Sequence, residues 1–198
     1  MVTLIVTAQA GFAMIIYIHG FNSSSRSGKA RVLRDWMAER GLAEAYACPD
    51  LPHQPAGAVA VLEALIAASR GTPKLVGSSL GGFYATWLAE RHALKAVLVN
   101  PCVACHEKLK GEVGRTQKNW HDGTEYVFTA AHLHELATLH VPRPAHPERY
   151  LLLAEKGDEV LDWREAADYY RGARQHILEG GDHGFTRFAD YISEILAF

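Results

Sequence analysis

Residues 74–82 read Lys-Leu-Val-Gly-Ser-Ser-Leu-Gly-Gly, so a short apolar run leads directly into a serine between two glycines. Ser79 is the centre of this G-x-S-x-G pattern. In a sharp turn from a buried strand into a helix, the glycines avoid collisions that larger side chains would cause. A helix that begins at Leu80 would also direct unpaired N–H groups at negative charge forming beside Ser79. We therefore predict that Ser79 is a nucleophile and that the neighbouring Ser78 is not.

On both sides of this stretch, short apolar runs alternate with helix-like segments. Runs of this length are typical of strands buried on both faces of a parallel sheet, and the alternation with helices indicates βαβ crossovers. We predict a three-layer α/β/α sandwich with a mainly parallel sheet of about six strands. The predicted strands are 15–18, 45–48, 74–76, 96–99, 150–153 and 176–178, and the predicted helices are about 28–40, 57–69, 80–91, 125–139, 163–172 and 185–197.

The stretch His19-Gly20-Phe21-Asn22 directly follows the first predicted strand. A serine that attacks an acyl carbon needs two backbone N–H donors for the oxyanion, one after the nucleophile and one from the loop after this strand. We predict that Leu80 and Phe21 provide them. His19 is favoured as a residue that shapes the loop by hydrogen bonding rather than as a base. Four polar residues at strand ends are candidates for substrate binding: His19, Asn22, Ser78 and Asn100.

A candidate general base, His183, lies in the Gly-Gly-Asp-His-Gly-Phe stretch at residues 180–185, after the last predicted strand. The acid that orients it is predicted to be Asp158, which is nearest to the end of the preceding strand. Asp162 is instead a candidate N-cap of the helix that starts at about residue 163. The chain order serine, aspartate, histidine is the order found in α/β-hydrolases.

Five stretches together resemble the small bacterial esterases of the YqiA/YcfP group, in the α/β-hydrolase superfamily. They are HGFNSS at 19–24, GSSLGG at 77–82, NP at 100–101, GDEVLD at 157–162 and EGGDHGF at 179–185. The resemblance covers residues 14–198 and implies a compact α/β-hydrolase domain without a large cap. It also implies hydrolysis of carboxylic esters and acyl thioesters without a metal, through a triad of Ser79, Asp158 and His183. The chain departs from the group in residues 1–13 and in Cys-Val-Ala-Cys-His at 102–106, which could alter the substrate pocket.

The composition is that of an ordinary globular protein and fits one domain of 198 residues. With 20 Lys and Arg against 22 Asp and Glu, the net charge of −2 favours neither nucleic acid nor a membrane as partner. Three cysteines are too few, and odd in number, for a disulfide framework, which favours a reducing, cytoplasmic location. Residues 1–13 are apolar and are interpreted as an N-terminal extension or a short extra strand, ahead of a single domain at 14–198.

Two further motifs are less informative. Cys102 and Cys105, followed by a histidine, formally match a haem-attachment or redox pattern, but small packed thiols are the favoured interpretation. His134 and Glu135 lack the second histidine of a zinc site, because Thr138 stands there. We predict no metal and no cofactor. The long insertion 108–147 is expected either to wall an acyl pocket or to pack against the sheet.

These observations predict a serine hydrolase that cleaves carboxylic esters or acyl thioesters through an acyl-enzyme intermediate. Its partner would be a small acyl ester or an acyl-CoA-like molecule. Three alternatives remain open: an acyltransferase on the same triad, a non-catalytic binding protein on a hydrolase scaffold, and a redox role for the cysteine pair.

Overall fold

The computed structural model describes residues 13–198, so the predicted N-terminal extension lies outside the described residues except for Ala13. Eight strands and seven α-helices are assigned in this part of the chain. The strands are β1 (Ile15–Ile18), β2 (Tyr46–Ala47), β3 (Lys74–Ser78), β4 (Lys95–Val99), β5 (Thr116–Lys118), β6 (Glu125–Val127), β7 (Tyr150–Glu155) and β8 (Arg174–Leu178). The helices are α1 (Gly28–Ala38), α2 (Pro55–Ala68), α3 (Leu80–His92), α4 (Cys105–Lys108), α5 (Ala130–Thr138), α6 (Trp163–Tyr169) and α7 (Ile192–Ala197).

Six strands form one sheet in the order β2-β1-β3-β4-β7-β8, and every neighbouring pair is parallel. The predicted strands differ from the observed ones by only one or two residues at an end. Four central strands are almost completely buried, as continuous apolar runs in a parallel sheet should be. The sheet and its parallel direction are therefore as predicted.

Helices cover both faces of this sheet. Ile15 and Tyr17 of β1 contribute to one core with α1 and α7, whereas Ile16 and Ile18 contribute to a second core with α2, α3 and α6. This alternation is the period-2 pattern of a strand whose two faces are both covered. The predicted three-layer α/β/α sandwich is confirmed.

The predicted helix 125–139 is wrong in its first part. Residues 125–127 are β6, which pairs in antiparallel fashion with β5 to form a hairpin outside the main sheet. The helix begins only at Ala130, because Thr129 forms a capping box there: its side chain accepts a hydrogen bond from the His132 N–H, and the His132 ring accepts one from the Thr129 N–H.

The predicted final helix 185–197 is interrupted as well. Phe185 has a left-handed backbone conformation with φ of 52°, residues Thr186–Tyr191 form 3₁₀ turns, and only α7 is α-helical. The short helix α4 was not predicted.

No helix in residues 13–198 combines the length and apolar character that crossing a bilayer requires. Polar loops follow the carboxyl ends of β1, β3, β4, β7 and β8, the edge at which ligands bind in parallel sheets.

Candidate active site

Ser79 lies in the turn between β3 and α3 in a backbone conformation that side chains rarely adopt, with φ of 55° and ψ of −121°. The glycines on either side make that turn possible. A Cβ atom on Gly77 would lie 2.3 Å from the carbonyl oxygen of Gly81, and one on Gly81 would lie 2.0 Å from the carbonyl oxygen of Ile18. The Ser79 N–H donates to Val99 O at 3.1 Å, which fixes the turn against β4. A strained residue of this kind persists only where its surroundings hold it, and such residues cluster at functional sites.

Three residues predicted from separate motifs lie in one chain of hydrogen bonds. His183 Nε2 is 3.1 Å from Ser79 Oγ, and His183 Nδ1 is 2.8 Å from Asp158 Oδ2. Because a carboxylate accepts at Nδ1, that nitrogen carries the ring proton and Nε2 is left to accept the proton of the serine hydroxyl. The histidine side chain is 23% exposed, so solvent reaches the imidazole ring.

Asp158 is held more tightly than an ordinary surface carboxylate. Its side chain is 2% exposed, and Oδ1 accepts hydrogen bonds from the N–H groups of Val160 (2.8 Å) and Leu161 (2.9 Å). Burial raises the pKa of Asp158, but the hydrogen bonds from His183, Leu161 and Val160 more than offset it, so that the net pKa lies below its ordinary value. The group is therefore ionised at neutral pH and faces His183.

Asp162 has the role expected of a helix cap. Its Oδ1 accepts the N–H of Arg164 at 2.9 Å at the start of α6.

Phe21 and Leu80 line a cavity at this edge of the sheet, and neither backbone N–H has an acceptor among the described residues. The loop after β1 lies against Ser79, since a Cβ atom on Gly20 would be 3.3 Å from Ser79 Cβ. Two free N–H groups beside a serine hydroxyl form the type of site that stabilises an oxyanion.

The His19 ring makes hydrogen bonds to the backbone of the loop after β1 and of residue 51, the structural role that the sequence analysis favoured. The ring is buried, Nδ1 donates to Gly20 O at 3.0 Å, and Nε2 accepts the N–H of Leu51 at 3.1 Å. Burial lowers the pKa of His19, so the ring is neutral at neutral pH.

Among the other polar candidates, only Asn22 lines this cavity, and its amide is engaged with the hairpin: Nδ2 donates to Gln117 Oε1 at 2.9 Å and Oδ1 accepts from Tyr126 OH at 2.8 Å. Substrate contact by Ser78 and Asn100 stays a prediction. Ser78 is buried at the end of β3 and, like Ser79, is not among the residues that line the cavity with Asn22. Asn100 is 3% exposed, donates from Nδ2 to Asp182 O at 2.9 Å, and accepts the Glu155 N–H at 2.9 Å.

A buried ion pair that the sequence analysis missed holds the loop of His183. Glu155, at the end of β7, is completely buried; it accepts the Asp182 N–H at 2.8 Å and Arg187 Nε at 2.7 Å. A Cβ atom on Gly181 would lie 2.0 Å from Glu155 Oε2, so the carboxylate requires that glycine. An acidic residue ending an apolar strand was the signal available in the sequence.

A cavity of about 180 Å³ lies beside Leu80. Its walls come from the loop after β1, from residues 51–53 and from the β5–β6 hairpin, through Asn119, Asp122, Thr124 and Tyr126. The insertion 108–147 therefore forms one wall of the cavity.

Cys102 and Cys105 are buried free thiols, and burial raises the pKa of Cys105 well above its ordinary value, which disfavours the reactive thiolate. Within residues 13–198, no group of three or more His, Cys, Asp and Glu side chains is arranged to hold a metal ion.

Comparison with known sequences identifies the family of this chain. The sequence model of the family described as Uncharacterised protein family (UPF0227) matches residues 14–198. A UPF0227 protein of Pectobacterium carotovorum is 27% identical over 191 residues, covering 93% of this chain and 98% of that protein. The UPF0227 protein YcfP of Salmonella paratyphi A is 24% identical over 188 residues with the same coverage. The resemblance to the YcfP group is confirmed.

Solved structures show the same fold. Est1E from Butyrivibrio proteoclasticus superposes with a TM-score of 0.68 at 15% identity, covering 94% of this chain and 89% of that one. The mouse alpha/beta hydrolase domain-containing protein 10 gives 0.67 at 16% identity, covering 91% and 87%. The monoacylglycerol lipase of Paleococcus ferrophilus gives 0.65 at 16% identity, covering 94% and 96%. The chain has the α/β-hydrolase fold.

Proposed function

The chain belongs to the UPF0227 family, and we propose that it is a serine hydrolase that cleaves carboxylic esters or acyl thioesters of small molecules through an acyl-enzyme at Ser79. The observation that carries this proposal is the continuous hydrogen-bonded chain from Asp158 through His183 to Ser79, with separations of 2.8 and 3.1 Å. Its members have the relative positions that a nucleophile, a base and an orienting acid require.

In the first half of the reaction, His183 Nε2 removes the hydroxyl proton as Ser79 Oγ attacks the acyl carbon. The imidazolium that forms is stabilised by the ionised Asp158 at Nδ1. The carbonyl oxygen becomes an oxyanion and accepts hydrogen bonds from the backbone N–H groups of Phe21 and Leu80. His183 Nε2–H then donates its proton to the leaving oxygen or sulfur, the bond to the acyl carbon breaks, and the acyl group remains on Ser79.

The second half repeats these steps with water. His183 removes a proton from water, the resulting hydroxide attacks the acyl carbon, and the Ser79 Oγ–acyl bond breaks as Oγ recovers a proton from Nε2. The partial exposure of His183 gives water a route to this position. An acyl acceptor other than water would make the same site an acyltransferase, and hydrolysis is favoured because the cleft is open to solvent.

Names of structural neighbours agree with an ester substrate without identifying it. They include Est1E with ferulic acid bound, a monoacylglycerol lipase, and the lipolytic enzymes LipS and LipT. A scaffold that only bound a ligand would have no need for a base aligned with a serine hydroxyl. Cytoplasmic location remains a prediction from the cysteine content.

The test replaces the nucleophile. Ser79→Ala should lower the hydrolysis of p-nitrophenyl butyrate by roughly four to six orders of magnitude and abolish labelling by a fluorophosphonate. Ser78→Ala is the matched control and should still be labelled, because Ser78 is buried at the end of β3 and the His183 ring faces Ser79 instead. Both variants should melt near the wild-type temperature. Labelling that persists in Ser79→Ala and disappears in Ser78→Ala would refute the assignment.

A further inference from the structure

The cavity beside Leu80 lies on the acyl side of the proposed nucleophile. Phe21 and Leu80, the two proposed oxyanion donors, line it, so a carbonyl group held by them stands at its mouth. The leaving group has to receive its proton from His183 and therefore lies toward that ring. None of Ser79, Asp158 and His183 lines the cavity, which therefore begins beyond the reacting atoms. The remaining substituent of the carbonyl carbon, the acyl chain, is then the part that enters it.

The size of the cavity limits the acyl chain. A dry cavity of about 150 Å³ holds a benzene molecule, and pockets for drug-sized ligands begin at about 300 Å³. At about 180 Å³, this cavity encloses an acyl chain of roughly six non-hydrogen atoms.

Tyr84 supplies a free polar group in the wall of this cavity. It follows Leu80 by four positions in α3, so the two residues share one face of the helix. The side chain is 3% exposed, and its hydroxyl has no hydrogen-bond partner among the described residues. Among the described residues, the side-chain polar atoms that are fully buried and have no hydrogen-bond partner are Ser27 Oγ, His106 Nδ1 and His140 Nδ1. The Tyr84 hydroxyl is not in this group, so it keeps some accessible surface. Tyr84 lines the cavity, and we take the cavity as the open space next to its hydroxyl.

Two neighbouring polar side chains in the cavity wall are already engaged. Asn22 bonds to Gln117 and Tyr126, and both ring nitrogens of His19 bond to backbone groups. Burial raises the pKa of Tyr84 well above its ordinary value, so the hydroxyl keeps its proton and donates. A buried donor without a partner is unfavourable until a ligand or a water supplies the acceptor.

We propose that this cavity binds the acyl chain of the substrate and that the Tyr84 hydroxyl donates a hydrogen bond to an oxygen carried on that chain. The inference rests on the proposed hydrolase function. It narrows the substrates to esters or thioesters of short acids that bear a hydroxyl or oxo group.

The experiment compares ethyl pentanoate with its 3-hydroxy and 4-oxo derivatives, and follows release of the acid in a pH-stat. Each kcat/KM is divided by the rate of hydrolysis of the same ester by hydroxide, which removes differences in intrinsic reactivity. At least one oxygenated ester should exceed pentanoate by about tenfold in the wild type, the effect of one buried hydrogen bond. In Tyr84→Phe this ratio should fall to about one. Hydrolysis of p-nitrophenyl decanoate should be no faster than that of the hexanoate.

Tyr46→Phe is the matched control, because it removes a hydroxyl that donates to Ala30 O, away from the cavity, and it should keep the wild-type ratio. If pentanoate is hydrolysed but no oxygenated ester is preferred, or if Tyr84→Phe keeps the preference, the acyl inference is wrong and the hydrolase proposal stands. If no ester is hydrolysed and Ser79 is not labelled, both fail. The wild-type series is decisive even if Tyr84→Phe does not fold.

Discussion

Asp158 and Asp162 lie four residues apart, yet their carboxylates face different partners. The first accepts from His183 and the second accepts from the N–H of Arg164 at the start of α6. We expect Asp158→Asn to lower kcat by roughly four orders of magnitude, because an amide favours the wrong tautomer of His183. Steady-state kinetics on p-nitrophenyl butyrate would measure this.

Asp162→Asn is the matched control for that variant. Asparagine is as good an N-cap as aspartate, so both kcat and the melting temperature should stay near the wild-type values. A catalytic loss that is larger in Asp162→Asn than in Asp158→Asn would show that the acid is misassigned.

At the residue scale, the role of a side chain can be predicted from sequence when the residue lies in a recognisable motif. Ser79 and His183 each lie in a glycine-containing turn after a strand, where few other roles require those neighbours. Glu155 and Tyr84 have no such surroundings in the sequence. Their importance depends on what lies opposite them, Arg187 for the first and an open cavity for the second, and these contacts join residues far apart in the chain.

At the element scale, the loop between β8 and α7 holds His183 at the end of a strand that carries no other part of the site. The buried carboxylate of Glu155 holds this loop at Asp182 N and at Arg187. We expect Arg187→Gln to lower the free energy of unfolding by about 2–3 kcal/mol, toward the lower end for a broken buried pair because the Arg187 side chain is 39% exposed. We also expect kcat to fall about tenfold with little change in KM, since a small displacement of His183 misaligns the base.

Arg143→Gln is the control for this element. Its ion pair with Asp168 spans 3.6 Å between two exposed side chains, a type of pair that contributes little to stability. Urea unfolding and ester kinetics are measured on both variants, and we expect a clear effect for Arg187→Gln and almost none for Arg143→Gln. Equal effects of the two substitutions would mean that the Glu155 pair does not position the loop.

The elements of the sheet were predictable because continuous apolar runs have few alternatives to buried parallel strands. The β5–β6 hairpin was not, because its strands are three residues long and mostly exposed, so they lack the apolar pattern that identifies a strand. Thr129, a capping residue inside the predicted helix 125–139, was the available sign that the helix begins later.

At the scale of the whole molecule, the cavity depends on four segments that the fold brings together: the loop after β1, residues 51–53, the start of α3 and the hairpin. The sequence indicated that the insertion 108–147 could wall a pocket, because ligands bind at the carboxyl edge of a parallel sheet. The volume and the unpaired hydroxyl inside it follow only from the packing of these segments.

Histidines whose pKa is lowered in the folded chain, the buried His19 above all, also make the stability of the whole molecule depend on pH. Burial lowers the pKa of His19, and the pKa values of His53 and His140 are lowered in the same way. Between the lowered pKa and the ordinary value of about 6.5, the unfolded chain binds more protons than the folded one. Stability is therefore fully present above about pH 6.5 and is lost as the pH falls below it. Carboxylates with lowered pKa values, such as Asp158, also stabilise the folded state, and this stabilisation is lost only below about pH 4.

We expect the free energy of unfolding in urea to be constant from pH 8 to pH 7 and to decrease from pH 6.5 to pH 5. Protonation of His19 would place a hydrogen on Nε2, which now accepts the Leu51 N–H, and would leave a charge in a buried site. His19→Gln keeps an acceptor for Leu51 but cannot take up a proton, so its stability should fall less steeply over this range. His134→Gln, at an exposed position of α5, is the control and should follow the wild-type curve. If His19→Gln has the wild-type slope, the pH dependence arises from other groups and the buried ring of His19 is not one of its sources.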